Sequence, residues 1–360
     1  MTAPISDDTT GPRRRSGPAR DWRIFHGDGV ARPGAASALP PPPPWRAFHG
    51  GPPLPPPYRE EWDTARRLGA SAQASPLTAA GVDVVNAALC LRRPLLVTGP
   101  PGSGKSTLAY QIAHELGLGR VLYWPISSRT TLQQGLYAYD AIGRVQDTAV
   151  LRASTEPPGG PGQPAEPHPV GDYIALGPLG TALLPYQLPR VLLVDELDKS
   201  DMDLPNDLLS VFEEGTYTIP ELVRLRAREP SVSVRTDDPH GGARVSEGRV
   251  QCRAFPVVVI TSNGEREFPA AFLRRCLRLE LPHPEPPQLA AMVAAHFSAE
   301  VAEEAQPLIM AFHERSLDSG TLAIDQLLNA VHLMTNGGPE PQGTPWDELM
   351  TSVWRRLSNS

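Results

Sequence analysis

The hydrophobic positions of this chain follow two kinds of pattern. Between residues 94 and 281, short apolar runs recur: Leu95-Leu96-Val97, Val121-Leu122-Tyr123-Trp124, Val191–Val194, Val257–Ile260 and Leu277–Leu281. Runs so short and so rich in Val, Leu and Ile suit strands covered on both faces. Apolar residues between and before them recur at helical spacing, as in Thr107–Leu116 and at Val82, Val85 and Leu89. This alternation predicts an α/β fold, a doubly wound and mostly parallel sheet whose ligands bind beyond the carboxyl ends of the strands. From about residue 283 onward only helical spacing remains, at Leu289–Phe297, Pro307–Arg315, Ile324–Met334 and Trp346–Leu357. That predicts a helical C-terminal unit. Ser75-Pro76 reads as a helix N-cap with proline at the first helical position. No internal repeat is visible.

Proline interrupts these patterns. Of 42 prolines in 360 residues, fourteen fall in 1–57, including Pro40–Pro44 and Pro55–Pro57. Proline fixes φ and lacks an amide donor, so such runs favour extended polyproline II. Residues 1–75 therefore read as a Pro-rich leader, largely disordered or extended. Trp22, Phe25, Trp45, Phe48, Tyr58 and Trp62 lie in or near its proline runs. They leave two alternatives open, a strap docked on the body or a solvated tail. Residues 152–169 read as a Pro/Gly loop. Residues 226–248 read as an irregular charged stretch inside a hairpin insertion, between the β-branched segments Thr216–Ile219 and Ser231–Val234.

Composition narrows the function classes. The chain carries 33 basic and 40 acidic side chains, a net charge of −7, with 40% hydrophobic residues and mean hydropathy −0.26. That is enough apolar material for a core, and it excludes a wholly disordered chain. Net acidity disfavours a nucleic-acid binder. Three widely spaced cysteines, Cys90, Cys252 and Cys276, form neither a disulfide framework nor a zinc spacing. No run approaches the ~20 apolar residues that span a bilayer. No apolar core follows the basic N-terminal cluster, so no secretory signal is read. The expectation is a cytoplasmic protein without a membrane segment.

The chemistry starts directly after the first apolar run. Gly99-Pro-Pro-Gly-Ser-Gly-Lys-Ser106 satisfies G-x-x-x-x-G-K-[ST], with a strand before it and a helical pattern after it. Glycines let successive amides turn toward an anion, and a helix starting near Lys105 adds its free amides and positive dipole end. Gly99, Pro100, Pro101, Gly102, Ser103, Gly104, Lys105, Ser106 and Thr107 are the candidate phosphate-binding residues. Lys105 would neutralise β and γ oxygens, and the Ser106 hydroxyl would ligate Mg2+. Val191–Val194 runs into Asp195-Glu196, two acids at the end of an apolar strand. Asp195 would hold Mg2+ and Glu196 would deprotonate the attacking water. The alternative is that the pair caps or salt-bridges the next helix, with Lys199 as partner. Val257–Ile260 ends in Thr261-Ser262-Asn263, where Asn263 could position that water or merely shape a turn. In Phe272-Leu273-Arg274-Arg275-Cys276, an arginine could reach a neighbouring subunit's nucleotide or simply sit at a helix carboxyl end.

With these four elements in order, the chain resembles the AAA+ ATPases, and within them the MoxR-like group. The MoxR-like pattern D-E-I-N-R appears here as Asp195-Glu196-Leu197-Asp198-Lys199, and its helix ending E-E as Leu208–Glu214. The resemblance implies a Walker A loop at 99–106, a Walker B strand at 191–196, a sensor 1 at Asn263 and an arginine finger at Arg275, with Arg274 beside it. It implies domains at 1–75 (leader), 76–282 (α/β core) and 283–360 (helical lid), with hairpin insertions near 140–180 and 215–256. It also implies ATP and Mg2+ as ligands, a homo-oligomer in the form of a hexameric ring, and a client or partner protein of the kind that carries a von Willebrand A domain. The implied function is ATP hydrolysis coupled to remodelling or assembly of that partner. The alternative is an ATP-gated assembly switch of a bacterial conflict or defence system, with little turnover. The family's common sensor 2 arginine has no counterpart in Gly320-Thr-Leu-Ala-Ile-Asp-Gln-Leu-Leu.

Overall fold

The structure is a computed structural model and describes residues 22–55, 68, 77–153, 168–319, 322–337 and 343–354. Tyr58, Trp62, the Ser75-Pro76 cap, most of the 152–169 loop and Gly320-Thr321 lie outside the described residues.

Helix α1 (Ala79–Leu91) precedes strand β1 (Leu95–Thr98), and α2 (Lys105–Leu116) precedes β2 (Leu122–Pro125). Next come α3 (Leu132–Leu136), β3 (Tyr137–Tyr139), α4 (Ala141–Ala153), β4 (Ile174–Leu176), α5 (Pro178–Ala182) and β5 (Val191–Asp195). They are followed by α6 (Asp203–Glu214), β6 (Thr216–Thr218), α7 (Pro220–Val223), β7 (Ser231–Arg235), β8 (Gly242–Ser246) and β9 (Arg249–Gln251). Strand β10 (Val257–Ser262), α8 (Ala270–Arg275) and β11 (Leu277–Glu280) complete the α/β part. Helices α9 (Pro286–His296), α10 (Ala299–Glu304), α11 (Gln306–Ser319), α12 (Ile324–Thr335) and α13 (Thr344–Val353) form the C-terminal unit.

The main sheet has the order β11-β1-β10-β5-β2, and every neighbouring pair is parallel. Successive side chains of a strand point to opposite faces. Leu96, Leu192, Val194, Val258 and Ile260 enter one apolar cluster. Leu95, Val97, Val191, Leu193 and Val259 enter another on the opposite face. Burial on both faces is the physical reason for the apolar runs of β1, β5 and β10, whereas edge strand β11 alternates leucines with exposed Arg278 and Glu280; the α/β fold expected from the runs is the one observed. The register pairs Thr98 with Ser262, Ile260 with Val194 and Pro125 with Asp195. The carboxyl ends of β1, β10 and β5 therefore share one edge.

The two insertions are not separate hairpins. They merge into one sheet of order β3-β4-β7-β8-β9-β6, joined where Ala175 pairs in parallel with Arg235. Residues 226–248 are not irregular as expected, because they contain β7 and β8. Val232, Val234, Ala243 and Val245 point inward, alternating with exposed serine, glycine and arginine. Outward residues that are small or charged give a weak period-2 signal, so this strand pattern is hard to see in sequence.

A buried ion pair bolts this sheet to the core. Arg190, fully buried just before β5, donates to both oxygens of Asp238 in the β7–β8 turn, at 2.7 and 2.8 Å. Arg120, just before β2, pairs with Asp237 at 2.9 Å. Removing one partner of a buried pair leaves an uncompensated charge, whereas replacing both by apolar groups can be neutral. Asp238→Ala should thus cost about 3–5 kcal/mol, read as a lower urea midpoint, and Arg190→Met with Asp238→Leu should recover most of it. Equal loss in the single and the double variant would contradict this.

Of the two alternatives for the leader, residues 22–55 are the docked strap, extended apart from two short 3-10 turns at Ala35–Ala38 and Pro44–Arg46. Phe25 is completely buried. Asn86 of α1 accepts the amides of Ile24 and Phe25 at 2.7 and 3.0 Å and donates to the Phe25 carbonyl at 2.7 Å. Glu115 of α2, itself buried, accepts the amides of His26 and Gly27 at 2.5 and 3.0 Å and pairs with Arg32 at 2.9 Å. Burial raises the Glu115 pKa, and the two amides partly offset that rise. Farther along, Phe48 stacks on Phe255 at 5.8 Å and the Gly50 amide donates to the Cys252 carbonyl at 3.0 Å. Trp22 and Trp45 remain exposed.

Helix α1 is capped by Thr78, whose hydroxyl accepts from the Gly81 amide at 3.2 Å. The C-terminal helices enclose their own core, including Leu289, Val293, Phe312, Leu327, Trp346 and Trp354. Helix α10 was not foreseen, because Ala299–Glu304 carries three glutamates and little apolar periodicity. Among the described residues, no helix is long and apolar enough to cross a membrane.

Candidate functional site

The site is built where β1, β5 and β10 end. Between β1 and α2 the chain turns through Gly99, Gly102 and Gly104, with φ of 148°, 75° and 84°. Two of these glycines are required by close approach as well. A Cβ on Gly99 would lie 2.5 Å from the Leu281 carbonyl oxygen, and one on Gly102 would lie 2.7 Å from the Ile324 amide nitrogen. Pro100 and Pro101 form the outer part of the turn, and Gly104 caps α2, whose first turn holds Lys105, Ser106 and Thr107. The free amides of that turn face the loop, as at any helix amino terminus. Ser103 is buried, and its hydroxyl has no partner.

Lys105 is 7% exposed, and its ammonium donates to the Gly99 and Pro100 carbonyls at 2.8 Å each. Burial lowers its pKa, while the charges of Asp198, Asp195 and Glu196 oppose that shift. Ser106 donates to Asp195 Oδ1 at 2.6 Å, Thr261 donates to the same oxygen at 2.7 Å, and the Tyr123 hydroxyl reaches Oδ2 at 3.3 Å. Among the described residues no trio of His, Cys, Asp or Glu gathers as a metal centre. The oxygens on offer are those of Ser106 and Asp195.

Glu196 follows β5 with a left-handed backbone, φ 60°. Its amide donates to Thr261 Oγ1 at 2.8 Å. Asn263 Nδ2 reaches Oε1 at 3.3 Å, and Lys199 Nζ pairs with Oε2 at 2.6 Å. The ion pair with Lys199, the alternative reading of the acids, is thus present at Glu196, while Asp195 faces Ser106 instead. Asp198, buried, accepts the amides of Asn263 and Glu265 at 2.9 and 3.0 Å through Oδ2, and its Oδ1 has no partner. It fixes the loop that carries Asn263. Sequence reasoning missed Thr261, Asp198 and Tyr123. The only available signal was a third acid three residues after Asp195.

Arg274 and Arg275 are not brought to this cluster. Strand β11 starts beside the start of β1, pairing Leu277 with Leu95. The helix before it therefore ends at the amino edge of the sheet, opposite the glycine turn. Arg93, just ahead of β1, donates to the carbonyls of both arginines there. Arg275 forms an ion pair with Glu213 at the end of α6 and donates to the Ala271 carbonyl at 3.1 Å. Arg274 is exposed and makes no ion pair among the described residues. Cys252 and Cys276 are buried, and burial pushes both thiols up to about 12, which suits packing rather than reactivity. The start of α12 rests on the glycine turn at Gly102, with Leu322-Ala-Ile-Asp-Gln326 and no arginine at that contact.

Comparison with known proteins matches residues 94–276 to the AAA domain (dynein-related subfamily) family. No curated protein matches the chain in sequence. Similar solved structures include NtrX from Brucella abortus in complex with ADP, at 16% identity and TM-score 0.36, covering 77% of this chain and 54% of that one. This chain thus spans about half of the NtrX chain. Another is a RuvB mutant from Thermotoga maritima, at 14% identity and TM-score 0.34, covering 82% of this chain and 71% of that one. The family match takes in β1 with its glycine turn, β5 with its two acids and β10 with Asn263, and on that footing the chain belongs to the AAA domain (dynein-related subfamily) family of P-loop ATPases.

Proposed function

We propose that this ATPase hydrolyses Mg·ATP between the glycine turn and the paired acids, and couples hydrolysis to remodelling or assembly of a partner protein in the manner of MoxR-like ATPases. The observation that carries the reading is the convergence of Lys105, Ser106, Asp195, Glu196 and Asn263 at one sheet edge. The unpartnered Ser103 hydroxyl and the Ser106–Asp195 oxygen pair fit a phosphate chain and its hard cation. Mg2+ would be held by Ser106 and Asp195 and would neutralise charge on the phosphate oxygens.

The chain's own groups do the rest. Residues 99–104 and Thr107 cradle the phosphates, and Lys105 moves from its carbonyl partners onto phosphate oxygens. Glu196 takes the proton of the attacking water, and Asn263 holds that carboxylate and the water in register. Arg275, or the unpaired Arg274, completes the site of the next subunit in a homo-oligomer, by the resemblance a hexameric ring. Their position at the far edge of their own sheet supports action in trans. The subgroup reading rests on Asp195–Lys199 and Leu208–Glu214, and it names a client with a von Willebrand A domain. A second reading, an ATP-gated switch with little turnover, is favoured by the arginine-free start of α12 and by the Lys199–Glu196 pair.

The test is phosphate release per chain across a protein dilution series, with mass-resolved oligomer analysis with and without ATP. Turnover per chain should rise as the oligomer forms. Undiminished turnover in a strictly monomeric sample would refute the trans site.

A further inference from the structure

The fused insertion sheet carries charge that the nucleotide site does not use. Residues 215–256 hold seven arginines and five acids in a chain of net charge −7. Pairing widens the imbalance. Asp238 and Asp237 are taken by Arg190 and Arg120, which lie outside the segment, so Glu221, Glu229 and Glu247 are the acids left to face its seven arginines. Arg224, Arg226, Arg228, Arg235, Arg244 and Arg253 are all exposed and make no ion pair or side-chain hydrogen bond among the described residues.

Register places three arginines in a row. Arg235 pairs across from Gly242, Ser233 from Arg244 and Ser246 from Arg249, so all share the outer face. Two residues along a strand and one strand across puts Arg235, Arg244 and Arg249 on a diagonal with steps of about 8 Å. A groove of about 460 Å³ reaches two of the three, Arg244 and Arg249, and is closed by strap residues His49–Gly51; Arg235 lies beyond it, and the exposed Glu247 at the β8–β9 turn is the acid on its wall.

We propose that this face docks an extended, acidic polypeptide segment, with carboxylates at alternate residues meeting Arg235, Arg244 and Arg249. Alternate side chains of an extended chain recur about every 7 Å, close to the step of the arginine row. Guanidinium forks match carboxylates with two parallel hydrogen bonds, and the neighbouring serines can donate to the segment. The outer face and groove carry no Phe, Tyr or Trp and only one histidine ring, His49, so they lack the successive aromatic platforms of single-strand binders, and a polypeptide is favoured over single-stranded nucleic acid. The site does not depend on the hydrolytic reading, because docking needs no turnover.

The experiment measures fluorescence anisotropy of a labelled peptide of alternating Asp and Ser with the full chain. An Asn/Ser peptide and a thymidine oligonucleotide serve as competitors. Losing two charge-assisted contacts in Arg244→Gln with Arg249→Gln should weaken binding about tenfold or more. Arg244→Lys should weaken it less, and the remote Arg129→Gln should leave it unchanged. Thermal unfolding of each variant checks the fold, and the lysine variant keeps the surface charge should the double variant unfold. Absence of peptide binding, equal binding of the Asn/Ser peptide, unchanged affinity in the double variant, or tighter binding of the oligonucleotide would each overturn the proposal.

Discussion

Glu196→Gln should lower ATP turnover about 10²–10⁴-fold, the usual contribution of a positioned general base, while ATP still binds. The amide keeps the shape of the carboxylate and can still engage Asn263, which lies 3.3 Å from Oε1. It cannot accept a proton from water, and it gives up the ion pair with Lys199. Asp195, Ser106 and Lys105 are untouched, so a fluorescent ATP analogue should bind with nearly its original affinity. Phosphate release and analogue binding measured on one preparation separate the two effects, and unchanged turnover would remove Glu196 from the proton-transfer role. The same variant divides the two functional readings. A remodelling motor loses its effect on the partner, whereas a switch that needs only occupancy keeps or gains it.

Removing the finger should have an effect at least as large. Loss of a trans arginine costs about 10³–10⁵ in turnover in other nucleotide hydrolases, so Arg274→Ala or Arg275→Ala should do so here. A fold artefact is easily separated. The Arg275–Glu213 pair is more than one-third exposed on both sides, and such surface pairs contribute about 0–1 kcal/mol. Glu213→Gln breaks that pair and keeps the guanidinium, so it should stay active. Mixing supplies the positive result: Lys105→Ala chains cannot use ATP themselves but carry both arginines. Added to the inactive arginine variant, they should restore part of its turnover. If both arginine variants retain full activity, or if mixing restores nothing, the site is not completed by a neighbour.

Much of this arrangement is readable from sequence because a few strong constraints set it. Continuous apolar runs suit strands covered on both faces, and so β1, β5 and β10 are visible in the sequence, while edge strand β11 shows only alternating leucines. The glycine turn and the two acids follow strands directly, and parallel register does the rest. What was not readable depends on contacts between distant segments. Thr261 looks like any polar residue after a strand until register sets it against Asp195. Asp198 is indistinguishable from a solvated helix-start acid until its burial and its two amide partners are seen. The fusion of the insertions through Ala175 and Arg235 joins segments some sixty residues apart, and no local pattern announces it. Nor could sequence choose between strap and tail for a proline-rich segment, since polyproline geometry is the same docked or free.

The strap also sets where the folding unit begins. Asn86 and Glu115 lie inside the protein with their hydrogen-bonding capacity turned to the backbone of residues 24–27. A chain trimmed to residues 76–282 would keep both side chains, lose their bonds to residues 24–27 and bare the apolar surface that Phe25 covers. The catalytic segment therefore leans on the strap for part of its packing. Its integrity is borrowed from a stretch outside the family match, and changes there would be felt as insolubility rather than as slower chemistry.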